Sequence, residues 1–381
     1  MSERDPGVAP RAESEPVAAA YSGASIAGIV PALVGRAPGQ ALPAWMPAPV
    51  SGARTVVLLV LDGLGWAALA EHPGALTTVA GLEGGPITTV VPSTTASALT
   101  SITTGLSPAQ HGVTGFRVLV DGRVLNVLSW QGANGRRAPD PFSVQRHPPF
   151  LGRSVAVVTK SEFRSSGFTG AHLRDARFHG YATPSGLVEH VRLLAAAGEP
   201  FVYSYYAGID SVAHAHGLHD GFYPAELAAA DRLVGDLLEV LPGDAALLVT
   251  SDHGQVHVGP DRWISLDALA EMVATYSGDG RFRYLHATKG AAAALLDAAR
   301  ETQGGRAWVW SRDELLDGGR LGPEVSPATR RRVGDVVLAA REPVAFTDPN
   351  LPRETHLVSA HGSVTAAEML VPLLAGRGAM R

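Results

Sequence analysis

The chain has 381 residues, 46% of them apolar, which is enough for one large α/β domain with insertions or for two domains. A net charge of −5, from 36 acidic and 31 basic residues, argues against a nucleic-acid-binding surface, because such surfaces carry clustered lysine and arginine. The absence of cysteine excludes disulfides, thiolate metal ligands and a cysteine nucleophile, so any soft metal ligand must come from the 14 histidines.

The N-terminal segment has the features of a tail rather than of a targeting signal. Residues 1–20 mix charge, proline and alanine without a period, and we expect a disordered tail there. Residues 2–6 lack the basic and apolar regions of a signal peptide, and the apolar run 26–34 is too short for a membrane span and contains Pro31. We therefore expect a cytoplasmic protein that does not engage a membrane, with a catalytic domain over residues 21–375.

The first strong signal is the continuous apolar and β-branched run Thr55–Leu61. It predicts a central strand that is buried on both faces. The strand ends at Asp62, followed by Gly63, a pair that is also typical of a simple turn.

A hydroxyl-rich segment, residues 92–112, follows an extended run at 87–91. Ala96, Leu99 and Ile102 recur at helical spacing and predict a short helix that ends at Gly105. Thr94 or Thr95 then lies near the helix N-terminus, where free N–H groups favour an anion, so either hydroxyl is a candidate nucleophile. An ordinary hydroxyl N-cap is the alternative interpretation.

The rest of the chain alternates strands and helices, with two insertions. We predict a hairpin and polar loop at about 116–150, with strands at 117–120 and 124–128, and a small α/β insertion at about 262–330. Between and after them lie three apolar strands at 154–159, 201–207 and 245–250, helices at 185–197 and 224–241, and a strand at 335–340. This alternation predicts a mostly parallel central sheet sandwiched by helices.

Metal-type side chains recur where these strands end. Asp62, Asp210 and Asp252 each follow a predicted strand, at the edge where open α/β sheets bind ligands. His214 lies four residues after Asp210, on the same face of a helix, and His253 directly follows Asp252.

His361 belongs to a separate loop that completes this set of candidate ligands. Taken singly, each position has a plain reading as a turn, a helix N-cap or a loop; taken together they indicate a metal site. An oxygen and nitrogen donor set without sulfur suits Zn²⁺, with Mn²⁺, Co²⁺ or Fe as alternatives. Six ligands and a threonine hydroxyl suit two ions rather than one.

The motifs as a set resemble the alkaline phosphatase superfamily, and within it the type I phosphodiesterase/nucleotide pyrophosphatase branch, over about residues 54–375. They are Val-Leu-Asp-Gly at 60–63, Pro-Ser-Thr-Thr at 92–95, Asp210 with His214, Ser-Asp-His-Gly at 251–254 and His-Gly-Ser at 361–363. The resemblance implies an alkaline phosphatase-like fold that hydrolyses a small-molecule phosphate ester through a covalent phosphothreonine. It implies one metal held by Asp210, His214 and His361. A second metal would be held by Asp62, Asp252 and His253, with Thr95 as the nucleophile bound to it.

One position departs from the family pattern. Nucleotide pyrophosphatases place a phosphate-contacting asparagine three residues after the nucleophile, where this chain has Ala98. We predict that Lys160, at the end of the strand 154–159, supplies the phosphate contact instead. For Tyr205 we expect core packing, with a wall of the leaving-group pocket as the alternative.

Four alternatives to a phosphodiesterase stay open: a phosphomonoesterase, a phosphonate hydrolase, a phosphomutase and an inactive metal-binding protein. A monoester-selective site usually presents an arginine fork, and no arginine follows the nucleophile before Arg117. We therefore expect preference for a diester. The sulfatase motif, a Cys or Ser followed by x-Pro-x-Arg, is absent from residues 92–98.

Overall fold

A computed structural model describes residues 15–37, 39–132 and 138–380. Its strands, in chain order, are β1 (Thr55–Leu61), β2 (Glu83–Thr88), β3 (Arg117–Val120), β4 (Arg123–Asn126), β5 (Gln131–Gly132), β6 (Ala156–Lys160), β7 (Arg177–Tyr181), β8 (Phe201–Tyr206), β9 (Ala245–Thr250), β10 (Val256–His257), β11 (Trp263–Ile264), β12 (Val273–Gly278), β13 (Phe282–Ala287), β14 (Ala307–Ser311), β15 (Val336–Ala340), β16 (Ala345–Phe346), β17 (Ser359–Ala360) and β18 (Leu370–Arg377).

The α-helices of the same ranges are α1 (Ile29–Val34), α2 (Ala67–Glu71), α3 (Thr77–Ala80), α4 (Thr95–Thr104), α5 (Pro108–His111), α6 (Pro141–Val144), α7 (Gly167–His172), α8 (Pro184–Ala196), α9 (Gly208–His216), α10 (Phe222–Val240), α11 (Ala292–Gln303), α12 (Arg312–Asp317), α13 (Pro327–Arg332) and α14 (Ala366–Met369). No helix within the described ranges is both long and apolar enough to cross a membrane.

The central sheet, counted over the described residues, has seven strands in the order β2-β18-β9-β1-β8-β6-β7. β1 pairs in parallel with β8 and β9, and β6 pairs in parallel with β7 and β8. β18 is antiparallel to both of its neighbours, β2 and β9. This mixed but mostly parallel sheet confirms the α/β fold class predicted from the alternation of strands and helices.

The central strand β1 supplies side chains to two hydrophobic cores. All seven of its residues are buried. Because side chains alternate along a strand, Val56, Leu58 and Val60 pack on the face that carries α4, and the alternate side chains pack on the face that carries α8 and α10. A strand that feeds two cores must be apolar at every position, which explains why its sequence has no alternation.

Predicted and observed elements of this sheet agree closely. β1 and β9 have the predicted bounds, and α4 spans the predicted helix up to Gly105. β6, β8, α8 and α10 are displaced from their predicted ends by one or two residues. The extended run predicted at 87–91 is the one clear shift, since its strand, β2, is Glu83–Thr88.

A second sheet of four antiparallel strands, in the order β12-β13-β15-β14, carries α11. Its elements β13, α11 and β14 lie within the range of about 262–330 that the sequence predicts as a small α/β insertion. The strand β15, which the sequence placed after that insertion, pairs between β13 and β14. The unit formed by this sheet therefore continues past residue 330.

Buried arginines tie the second sheet to the segments that lead into β18. The Arg281 guanidinium donates to both carboxylate oxygens of Glu368, at 2.8 and 2.9 Å. Arg283 donates to Glu354 at 2.6 Å, and Arg117 pairs with Asp348. Each of these buried cations has a carboxylate beside it, as a charge removed from water requires.

The predicted hairpin is β3 and β4, joined by Asp121 and Gly122, whose positive φ angles of 49° and 75° match a two-residue hairpin turn. Residues 133–137, in the predicted loop that follows, lie outside the described residues.

At the N-terminus, residues 1–14 of the tail predicted at 1–20 lie outside the described residues. Its later part contacts the body, where Val17 N–H donates to the Val364 carbonyl at 2.8 Å.

Candidate metal centre

Four segments of the chain converge beyond the carboxyl ends of three neighbouring strands, β8, β1 and β9. Asp62 follows β1 directly, and Asp210 lies in the first turn of α9, just after β8. Asp252 and His253 follow β9, and His361 follows the short strand β17. Parallel strands end at one edge, so the sheet itself brings these side chains together.

The first group, here called the inner trio, is Asp62, Asp252 and His253. Each offers a ligand atom within 4.8 Å of the other two. His253 Nε2 lies 3.4 Å from Asp62 Oδ1 and 3.6 Å from Asp252 Oδ2. All three residues are buried. Their donor atoms therefore point at one small volume that water reaches poorly.

The second group, the outer trio, is Asp210, His214 and His361, whose ligand atoms also lie within 4.8 Å of one another. His214 Nε2 lies 3.3 Å and His361 Nε2 3.8 Å from Asp210 Oδ1. Asp210 and His214 share a face of α9, as their spacing predicted. Their side chains keep 16% and 22% of their exposure, so this group faces the solvent more than the inner trio does.

The two trios touch. The imidazole rings of His253 and His361 stack with their centroids 3.6 Å apart and an angle of 12° between the planes. The sequence-predicted ligands are thus gathered in two groups of three, side by side.

Each histidine of the two trios is oriented by its other ring nitrogen. The three Nδ1 atoms lie at hydrogen-bond distance from backbone carbonyl oxygens: His214 from Ser359 at 2.7 Å, His253 from Gly254 at 3.0 Å and His361 from Ser93 at 3.0 Å. A carbonyl only accepts, so Nδ1 carries the proton and donates it. In the neutral ring Nε2 is then an unprotonated donor atom aimed at the carboxylates, the arrangement found in metal-ligating histidines.

Two carboxylate oxygens of the inner trio fit a cation for another reason. Asp62 Oδ1 and Asp252 Oδ2 are buried and have no hydrogen-bond partner among the described residues. A buried polar atom without a partner costs about 1–3 kcal/mol, and more when it is charged. A divalent cation bound by the inner trio would compensate both oxygens.

The pKa shifts within the inner and outer trios also favour a bound cation. Burial, followed by the nearby Asp252 and Asp210 carboxylates, raises the pKa of Asp62 well above its usual range. Burial also raises the pKa of Asp252. In the outer trio, burial works against ionisation of both partners, yet Asp210 raises the pKa of His214 to about 9. Three carboxylates crowded into an apolar surrounding need positive charge beside them.

Thr95 is the first residue of α4, and its Oγ1 lies 3.1 Å from His253 Nε2. Thr94 is the N-cap residue, but its hydroxyl makes no capping hydrogen bond. The N–H groups of the first turn therefore have no side-chain cap from it and stay free for an anion. Of the two candidate hydroxyls, that of Thr95 is the one beside the inner trio.

A cavity of about 220 Å³ opens on Asp62, Thr95 and Asp210. Aromatic side chains form much of its wall, among them Phe163, Phe168, Tyr203 and Tyr205. No arginine or lysine occurs among the described residues that line it. The space next to the candidate nucleophile is thus shaped for an organic group more than for additional negative charge.

Lys160 lies at the end of β6, as predicted, but its side chain turns towards the surface. Its Nζ is 3.8 Å from a Glu162 carboxylate oxygen and the side chain is 37% exposed. Its neighbours Thr159 and Phe163 line the cavity, whereas Lys160 does not. A role of Lys160 in phosphate binding stays a prediction.

Two further polar side chains contact the trios without having been singled out as functional. The Tyr205 hydroxyl donates to Asp62 Oδ2, so this residue, which the sequence assigned to core packing, also holds a candidate ligand. The Gln255 side-chain amide donates to Asp210 Oδ1 at 2.5 Å. The alternation along β8 could have identified Tyr205, because that strand lies beside β1. No sequence pattern marks Gln255.

The sequence matches the family model described as type I phosphodiesterase / nucleotide pyrophosphatase over residues 56–364. No curated protein sequence matches the chain. A similar solved structure is murine ectonucleotide pyrophosphatase / phosphodiesterase 5, with a TM-score of 0.64 and 16% identity over 84% of this chain and 87% of that chain. A second murine structure is an inactive variant, with a threonine replaced by alanine, in complex with AMP.

Phosphonoacetate hydrolase from Sinorhizobium meliloti 1021, in complex with phosphonoformate, is also similar. Its TM-score is 0.61, with 18% identity over 86% of this chain and 91% of that chain. Identities this low reflect a shared fold.

Proposed function

Since the chain belongs to the type I phosphodiesterase / nucleotide pyrophosphatase family, which indicates a phosphoester hydrolase, we propose that it is a two-metal phosphodiesterase with Thr95 as its nucleophile. The observation that carries this proposal is the convergence of the two trios beside the Thr95 hydroxyl. The oxygen and nitrogen donors suit Zn²⁺, with Mn²⁺ as the alternative. The inner trio would hold one ion together with Thr95, and the outer trio would hold the other.

Two bound cations would neutralise the carboxylates, polarise the phosphoryl oxygens and favour the ionised form of the Thr95 hydroxyl. The protein's own groups position the reaction. The three backbone carbonyls fix the imidazole rings, and Tyr205 and Gln255 fix two of the carboxylates. The free N–H groups at the start of α4 would orient the phosphoryl group.

The reaction then proceeds in two displacements at phosphorus. The Thr95 oxygen forms a bond to phosphorus while the bond to the leaving alcohol breaks, and that alcohol takes up a proton. Water attacks the same phosphorus in the second step, the bond to Thr95 breaks and the threonine oxygen regains its proton. The inactive threonine-to-alanine variant of the murine protein is consistent with such a role.

A diester is the better fit for the substrate. The described residues that line the cavity beside Thr95 include no arginine or lysine, and Ala96 and Ala98 are small and buried. A dianionic monoester usually needs an arginine fork, whereas a diester brings one negative charge and a second organic substituent. The aromatic wall of the cavity supports such a substituent.

The test compares three substrates on the metal-loaded protein. We expect bis-p-nitrophenyl phosphate to be cleaved with higher kcat/KM than p-nitrophenyl phosphate. The opposite order would assign a phosphomonoesterase. Phosphate release from phosphonoacetate above both rates would assign a phosphonate hydrolase. If the protein with two ions bound hydrolysed none of the three substrates, the result would indicate an inactive metal-binding protein.

Removal of the metal is the second arm of the test. We expect chelation to abolish activity and Zn²⁺ or Mn²⁺ to restore it. Circular dichroism should keep the signal of the sheet, because the ligands lie beyond strands whose cores are apolar. Full activity of protein shown to be metal-free by elemental analysis would refute the two-metal proposal.

A further inference from the structure

A second cavity, of about 790 Å³, lies between the hairpin of β3 and β4, helix α6 and helix α13. None of its lining residues lines the cavity beside Thr95. It is therefore a separate space on the molecule. Its size is in the range of sites that bind small molecules.

The walls of this cavity are strongly basic in a chain whose net charge is −5. Four arginines line it, namely Arg146, Arg312, Arg331 and Arg332, against a single carboxylate, that of Asp121. Arg312 is paired with Asp335 at 2.8 Å. Arg146 and Arg331 form no ion pair with any residue that the structure describes.

Arg332 distinguishes this cavity from an ordinary solvated basic patch, because only 7% of the residue is exposed. Its guanidinium donates to the carbonyl oxygens of Gly112 and Val144, at 2.7 and 3.0 Å. These are neutral acceptors, whereas the buried guanidinium groups of Arg281 and Arg283 have carboxylates beside them. Burial lowers the pKa of Arg332 to about 10; the Asp121 carboxylate opposes this shift, and Arg331 and Arg146 add to it.

Arg332 is a buried cation near one carboxylate, that of Asp121, and two further cations, Arg331 and Arg146, so an additional anion would compensate the excess positive charge. Guanidinium groups converging from two segments of the chain match the geometry of a tetrahedral oxyanion, to which they donate paired hydrogen bonds. We propose that this cavity binds the dianionic phosphate group of a small molecule, at a site separate from the metal centre. The remaining volume accommodates an organic part of that molecule.

The proposal is tested by equilibrium dialysis of the metal-loaded protein with radiolabelled inorganic phosphate. The variant replaces two exposed cavity arginines, Arg146→Ala with Arg331→Ala, and leaves the buried Arg332 in place. The matched control, Arg153→Ala with Arg330→Ala, removes the same charge from residues outside the cavity. Arg330 neighbours Arg331 on α13 and is already paired with Asp313.

We expect the cavity variant to bind one phosphate fewer per chain, or to bind it about tenfold or more weakly, since charge-assisted hydrogen bonds are lost. The control should bind as the wild type does, and the hydrolysis rate of neither variant should change. A loss of binding that is equal in both variants, or absent from both, would overturn the proposal. Both variants keep the metal centre, so any phosphate bound there contributes equally to the two measurements. The difference between the variants can therefore be interpreted even if the proposed hydrolase activity is not found.

A second probe, phenylphosphonate, identifies the source of the phosphate group. Tighter binding of phenylphosphonate than of inorganic phosphate, lost in the cavity variant alone, would assign an organic phosphate as the ligand. Tighter binding of inorganic phosphate would assign the free ion.

Discussion

The inner and outer trios contain the same kinds of donor, but different groups hold them in place. In the inner trio, the Asp252 carboxylate accepts from the backbone N–H groups of Gly63 and His253, at 3.1 and 3.0 Å. In the outer trio, Asp210 is held by a side chain, the amide of Gln255. Backbone donors cannot move without the strands that carry them, whereas a side chain can change rotamer. The Asp252 carboxylate of the inner trio is thus held more rigidly than the Asp210 carboxylate of the outer trio.

The largest effect should come from Thr95, the proposed nucleophile, which lies beside the inner trio. Thr95→Ala should lower kcat/KM by about 10³- to 10⁵-fold, because the attacking oxygen is removed. Both ions should remain bound, measured by elemental analysis, since each trio keeps its three ligands.

Thr94→Ala is the matched control, because it removes the neighbouring hydroxyl from a residue that is equally buried. We expect its activity to stay within about tenfold of the wild type, because the Thr94 hydroxyl makes no capping hydrogen bond that the substitution could remove. Equal losses in the two variants would mean that the nucleophile has been misassigned.

A direct comparison of the trios replaces one carboxylate in each. Asp252→Asn should lower kcat/KM by about 10³-fold or more, and Asp210→Asn by about 10²-fold, because only the inner carboxylate also fixes a loop through backbone hydrogen bonds. Added Zn²⁺ or Mn²⁺ should rescue the Asp210 variant far better than the Asp252 variant. Equal rescue of both would show that rigidity does not distinguish the two groups.

The side chains that hydrogen-bond to the candidate ligands provide another comparison of the two trios. Gln255→Leu should weaken the binding of the outer ion, and Tyr205→Phe that of the inner ion, each by about 10- to 100-fold. Metal titrations that resolve two binding steps measure this. If both variants weakened the same step, the division into two ion sites would be wrong.

We expect the smallest effect on the rate for Lys160, whose side chain lies beside Glu162 and belongs to neither trio. Lys160→Ala should lower kcat/KM by about two- to fivefold, because an exposed, solvated charge contributes little. The monoester should lose more than the diester, since it carries more charge. Glu162→Ala, which frees the lysine from its partner, is the control and should not lower the rate.

The parts of this molecule that depend on local pattern could be predicted from the sequence. The apolar runs predicted the bounds of β1 and β9, and an aspartate one or two residues after each strand, Asp62 and Asp252, placed candidate ligands at one edge of the sheet. The stacking of His253 on His361 could not be predicted, because it depends on how the intervening second sheet folds back. The same is true of Gln255, whose contact with Asp210 follows from the path of a loop. The outward position of the Lys160 side chain, near Glu162, could not be predicted either, because no periodicity of the sequence shows it.

The position of β18 in the central sheet has a consequence for the order of events during synthesis. This strand lies between β2 and β9, yet the ribosome makes it after every other strand of the sheet. Until it emerges, β9 and β2 have unpaired edges, and an open edge is a template for pairing with other chains. His361 also emerges only shortly before β18, so the outer trio is completed at nearly the same moment as the sheet. Completion of the sheet and assembly of the outer trio are therefore both late steps of folding, and aggregation competes with them up to that point.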